Sequence, residues 1–196
     1  MEFRRRVTAR NADREQSRAA SVSESTPIPQ ENMMTTEPTA AESTDRIWTA
    51  AEKIHTAMLV TQSGDRLISR PMAPIVRRGE ASIWFLTDKD SGKLGDIAVH
   101  RQVSVSFSEG SDHLAFQGPA SVHDDRAIIK DLWSNAAQAY YPNGPGDPLV
   151  LALRVQPDHA EYWDGPGSVV AMFKMAAAVA TGKSVGELGE HIEAEI

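Results

Sequence analysis

In "WFLTDKDSGKLGDIAVH" (Trp84–His100), Thr87, Ser91 and Lys93 bring two hydroxyls and an ammonium to the mouth of an expected helix. The first turn of a helix carries unpaired N–H groups and the positive end of the macrodipole. Gly92 lets a ligand approach the backbone, and Lys93 adds a formal charge. Such a group would cradle a phosphate. The ordinary alternative is that Ser91 caps the helix while Lys93 is a solvated surface residue, serine being among the commonest caps. The spacing is not that of the Gly-x-x-x-x-Gly-Lys-Ser/Thr nucleotide loop.

A second candidate is "ISRPMAP" (Ile68–Pro74). Arg70 precedes a proline, which holds its backbone extended, and a guanidinium fixed in this way can grip an anion or a pair of carbonyls. Pro71 and Pro74 cannot donate ladder hydrogen bonds, so this strand must be an edge or be bulged. Blunting that edge against aggregation is the alternative role. Among the aromatic residues, Trp133, Tyr140, Tyr141, Tyr162 and Trp163 could line a pocket for a flat ring. Trp133 reads as core, and Trp163, in "EYWDGPG", as the better pocket or interface candidate.

Other chemistries find no support. With no cysteine, disulfides and thiolate catalysis are excluded. The six histidines show no metal spacing, so no metal site is expected. No serine sits in a Gly-x-Ser-x-Gly elbow, and nothing singles out a catalytic acid or base. A net charge of −7 argues against a nucleic-acid surface. No apolar run approaches the roughly 20 residues that span a bilayer. "MEFRRR" does not lead into an apolar signal region. A cytoplasmic protein without membrane or nucleic-acid partners is expected.

The elements that must position these residues follow from pattern. Residues 1–43 are arginine-rich and then a Ser/Thr/Pro/Glu mixture, a composition expected to stay disordered. "MTTEPTAAESTDRIW" also suits a polar lead-in, which makes Met33 or Met34 a candidate natural start. Ser43–Asp45 offers caps for a helix through "RIWTAAEKIHTA". "AMLVTQ" and "RLISRPMAPIV" read as a hairpin and "ASIWFLT" as a third strand. "QVSVSFSE", with strict alternation, and "HLAFQGPASVHD" follow the Lys93–His100 helix. "RAIIKDLWSNAAQAY" reads as one helix capped by Asp124 or Asp125. "LVLALRVQPDHAEYW" supplies one or two strands and "SVVAMFKMAAAVATGK" a final helix. Residues 44–183 form the expected domain, and 184–196 a C-terminal tail. Hairpin linkage favours an antiparallel sheet in an α+β fold, curled into a small closed or partly open barrel.

Taken in order, "SRPM", "WFLTDKDSGK", "YPNGPGDP" and "EYWDGP" resemble the general stress protein 26 branch of the pyridoxamine phosphate oxidase-like, FMN-binding split barrels. The likeness runs from about Ile47 to Gly182. It implies an antiparallel Greek-key split β-barrel with flanking helices, working as a homodimer with FMN at the subunit interface. By that resemblance Ser69, Arg70, Pro71 and Met72 would border the isoalloxazine ring and ribityl chain. Phe85, Leu86 and Thr87 would hold the flavin from the neighbouring strand, Ser91 and Lys93 would take the phosphate, and Trp163 would approach the ring from the partner subunit. The implied function is a flavin-dependent oxidoreductase linked to general stress. The alternatives are a non-catalytic flavin sensor or carrier, a cofactor-free interaction module, and the same barrel holding FAD, a deazaflavin or haem. Gly92 stands where the true oxidases carry a second basic residue, and their C-terminal arginine segment is absent. Oxidation of pyridoxamine phosphate itself is therefore not implied.

Overall fold

The structure, a computed structural model, describes residues 39–165, 175–176, 178–179 and 190–196. The first helix, α1 (Ala40–Ala51), is capped by Thr39, which closes a capping box with Glu42. That reciprocal pair satisfies two orphan donors at once, so the helix starts ahead of the expected Ser43–Asp45 cap. Its apolar stripe, including Ile47, Trp48 and Ala51, is buried.

The strands are β1 (Ala57–Ser63), β2 (Arg66–Met72), β3 (Ile75–Arg77) and β4 (Ser82–Asp88). Helix α2 (Gly92–Val99) precedes β5 (Gln102–Glu109) and β6 (Asp112–His123). Helices α3 (Arg126–Asp131) and α4 (Asn135–Tyr140) then lead to β7 (Val150–Val155), β8 (His159–Asp164) and β9 (Glu190–Glu195). Every pairing is antiparallel. The path β2-β1-β5-β6-β7-β4-β3 stays open, and β8 and β9 branch from β6. This is the expected α+β architecture, a barrel split rather than closed.

The split has a visible cause. On one edge β6 pairs with β8 as far as Gln117 and with β7 from Ala120. Between those partners the β7–β8 corner crosses the strand, tied by Gln156 N donating to Pro119 O (3.1 Å) and Asp158 N to Gln117 O (3.0 Å). Gly118 permits the crossing: a Cβ there would collide with the Gln156 carbonyl oxygen and lie 2.7 Å from Pro157 Cα.

The core sits inside this curl. Trp48, Phe107 and Phe116 pack ring to ring at 5.0 and 5.6 Å between centroids. Strand β4 is buried on both faces: Ile83 and Phe85 join the main core, while Trp84 and Leu86 join a second cluster with Ile129, Leu132 and Ala137. This explains why "IWFL" (Ile83–Leu86) is a continuous apolar run instead of alternating.

Several expected elements are corrected. "RLISRPMAPIV" is two strands, because the chain leaves β1 after Met72 and, past Pro74, pairs with β4 instead. The helix read through "RAIIKDLWSNAAQAY" is two helices: Asp125 caps α3, and Ser134 accepts from Ala137 N to start α4. The expected C-terminal tail, 184–196, contains β9, with Ile192 and Ala194 in the core. The final helix expected over Ser168–Lys183 lies outside the described residues, apart from helical Met175, Ala176, Ala178 and Val179. The expected tail 1–43 does so too, apart from residues 39–43. Among the described residues no helix is long and apolar enough to cross a membrane.

Candidate functional site

Ser91 occupies the N-cap position of α2, yet its hydroxyl makes no cap hydrogen bond. Instead it accepts from the Lys93 ammonium at 2.6 Å, and Thr87 Oγ1 accepts from the same nitrogen at 2.8 Å. Lys93 is only 8% exposed, and among the described residues no carboxylate pairs with it. Burial, and then the charge of Arg70, hold its pKa below the usual lysine range, while Asp88 pulls the other way. Two hydroxyls cannot neutralise an ammonium. The cluster is therefore an electropositive socket, and the first-turn N–H groups of α2 add to it.

Arg70 stands beside this socket but is anchored separately. Its Nη1 donates to Thr61 Oγ1 at 2.7 Å and its Nη2 to Asp96 Oδ2 at 3.2 Å. Thr61 in turn donates to Asp96 at 2.9 Å. The network ties β2 to β1 and α2. Hydrogen bonding from Ser63 is the largest cause lowering the Asp96 pKa; burial, next in size, opposes it, and hydrogen bonds from Thr61 and Arg70 lower it further. A carboxylate whose folded pKa lies below its unfolded value stabilises the fold fully above the latter, near 3.8. The contribution is lost as pH falls through the folded value. Asp96→Asn should lower stability by about 1–2 kcal/mol at neutral pH. Urea unfolding of both proteins at successively lower pH should show the difference shrinking below that range. A constant difference would mean that the charge is not what Asp96 supplies.

Next to this network lies a cleft of about 590 Å³. Pro71 and Met72 of β2, Leu86 of β4, and His55 and Thr56 ahead of β1 form part of its wall. Ala136, Ala137, Tyr140 and Tyr141, in and just after α4, supply another part. Met72 also packs against the main core. Strand β3 pairs only with Ser82–Trp84, leaving Phe85–Asp88 without a strand neighbour on that edge among the described residues. The arrangement offers a cationic socket, an open strand edge and an apolar cleft in succession. It suits a ligand with an anionic end and a flat ring.

Residues 42–186 match the model of a family described as pyridoxamine 5'-phosphate oxidase like. The chain belongs to that family. Solved structures show the same fold. A protein of Jannaschia sp. CCS1 assigned as a general stress protein 26 is 24% identical over 81% of this chain and 100% of its own, with a TM-score of 0.64. General stress protein 26 of Bacillus anthracis is 24% identical over 61% of this chain and 92% of its own (TM-score 0.56). The general stress FMN/FAD binding protein of Xanthomonas citri is 28% identical over 63% of this chain and 89% of its own (TM-score 0.57). A comparison with curated proteins returned no match.

In this pyridoxamine 5'-phosphate oxidase-like chain the expected residues fall into separate places. Thr87, Ser91 and Lys93 form the socket beside Arg70, and Pro71, Met72 and Leu86 line the cleft. Ser69 is exposed on β2. The Phe85 side chain is fully buried in the core, so its backbone alone lies on the open edge. Trp163, 39% exposed, is separated from β2 by β1, β5 and β6. It stacks on His191 of β9 with ring centroids 5.1 Å apart and 3° between planes. Sequence reasoning missed Thr61 and Asp96, although Asp96 follows Lys93 by one helical turn and so shares its face. It also missed His55 and Thr56, which carry no local signal.

Proposed function

We propose that this chain is an FMN-binding split-barrel protein of the general stress type, acting as an oxidoreductase on a small molecule. The observation that carries the reading is the buried Lys93 ammonium, satisfied by two hydroxyls and by no acid. That donor set fits a phosphate monoester, which supplies the missing negative charge. Lys93, Ser91, Thr87 and the first-turn N–H groups of α2 would hold the phosphate. Arg70, Pro71 and Met72, with the open edge of β4, would border the remainder. The similarity to the FMN/FAD binding protein of Xanthomonas citri, at 28% identity, supports a flavin.

When bound, a flavin supplies one- and two-electron transfer; the chain supplies placement and a water-poor setting. Arg70 is held still by Asp96 and Thr61, so its guanidinium keeps a fixed position beside the socket. The apolar cleft wall excludes water from the ring. The position of Trp163 leaves a second copy of the chain as its route to such a ring, and a homodimer is part of the proposal.

Titrating FMN into the purified chain should quench flavin fluorescence and shift the absorbance band, with one flavin per chain at saturation. An unchanged flavin spectrum would overturn the proposal. Turnover of NAD(P)H with an acceptor, well above that of free FMN, tests the oxidoreductase role on the same material.

A further inference from the structure

Among the described residues, the wall of the cleft contains no Asp, Glu, Lys or Arg. Its polar groups are hydroxyls and one imidazole: Ser134, which accepts from Ala137 N at 3.1 Å, and four others, the hydroxyls of Thr56, Tyr140 and Tyr141 and the ring of His55. None of these four side chains hydrogen-bonds to any described residue. Tyr141 is held in place by Trp133, with ring centroids 6.1 Å apart. Burial, and then the charge of Asp88, raise its phenol pKa, so the hydroxyl stays protonated and able to donate. Tyr140 is 77% exposed.

From this wall we infer that the cleft binds an uncharged, planar ring compound bearing carbonyl oxygens, of the quinone class, and disfavours phosphorylated substrates. The inference rests on the flavin reading, since it names the molecule that would lie against the ring. The physical case is a balance of desolvation. An anion moved into an apolar cleft without a cation loses its hydration with no return. A quinone loses little, stacks on the tyrosine faces, and presents acceptors to hydroxyls that bond to no other described side chain. The Lys93 ammonium and the Arg70 guanidinium are not in the cleft wall. The volume, about 590 Å³, lies within the usual range for small-molecule sites of roughly 300–1,000 Å³.

Calorimetric titration of the full chain, with and without FMN, decides it. Menadione is the neutral probe and pyridoxamine 5'-phosphate the charged one. The chain has no cysteine, so thiol addition to the quinone does not intrude. Menadione should bind the FMN-saturated chain at least ten-fold more tightly than the phosphorylated amine. Tyr141→Ala should weaken menadione about ten-fold. Ala136→Lys, at an exposed position of α4, should reverse the preference without disturbing the fold. Equal or tighter binding of pyridoxamine 5'-phosphate by the unmodified chain would overturn the substrate class. So would menadione affinity indifferent to both substitutions. The FMN titration is read separately: failure of FMN to bind removes the flavin reading, whereas FMN binding without menadione binding removes this inference alone.

Discussion

Gly118→Ala should destabilise the fold by about 3 kcal/mol or more, the largest stability effect expected of any single methyl group here. The new Cβ would meet backbone: the Gln156 carbonyl oxygen and, at 2.7 Å, Pro157 Cα. A flexible side chain could swing away, but a corner hydrogen-bonded to β6 on both sides of Gly118 cannot. Relief would require lifting the β7–β8 corner, which also carries Val155 and Ala160 out of the core. Gly95→Ala is the matched control, because its Cβ would meet open space within a helix. There the change should stabilise by about 0.5–1 kcal/mol. Urea midpoints of the two variants separate the cases, and a Gly118→Ala protein as stable as its parent would refute the proposed cause of the split.

Lys93→Ala should leave the fold intact and weaken FMN about 10- to 150-fold, the loss of a charge-assisted contact of about 1.5–3 kcal/mol. The fold should survive because no buried carboxylate loses a partner; Thr87 and Ser91 lose only a donor. Burial makes the charged lysine unfavourable in the folded chain. The unfolded chain therefore holds the proton more tightly, and the charge opposes folding at neutral pH. That opposition fades as pH rises toward the ordinary lysine value of 10.5. Lys93→Met, which keeps the stem packed, should accordingly be no less stable than the parent at neutral pH. A large loss of stability in both variants would make Lys93 a structural residue and not an anion socket.

How far these features are legible in the sequence depends on the range of the interactions that make them. Thr87, Ser91 and Lys93 are close neighbours in the chain, so their grouping is visible there. The choice between cap and ligand turns on where one hydroxyl points: Ser91 holds the cap position but makes no cap bond and accepts from Lys93 instead. Pro71 and Pro74 announced an edge, and β2 is one. That Pro74 ends one strand and frees the next to pair with β4 depends on a long-range partner, which no local pattern specifies. Strand β9 is the opposite case. "EHIEAEI" alternates strictly, with Ile192 and Ala194 inward, and its signal was present in the period-two pattern. Tyr140 and Tyr141, expected as pocket residues, do line the cleft, but its assembly from the α1–β1 link, β2, β4 and α4 has no local signal. Trp163, expected in a pocket or interface, is partly exposed, and its distance across the sheet from Arg70 follows only from strand order.

The central claim is that the socket at the mouth of α2 holds a phosphate. Comparing FMN with riboflavin, which differ in that phosphate alone, tests it most directly. Equilibrium titration of both into the parent chain and into Lys93→Ala should show FMN at least ten-fold tighter than riboflavin in the parent, with the gap nearly closed in the variant. Equal affinities in the parent, or a gap that survives the loss of Lys93, would contradict the account.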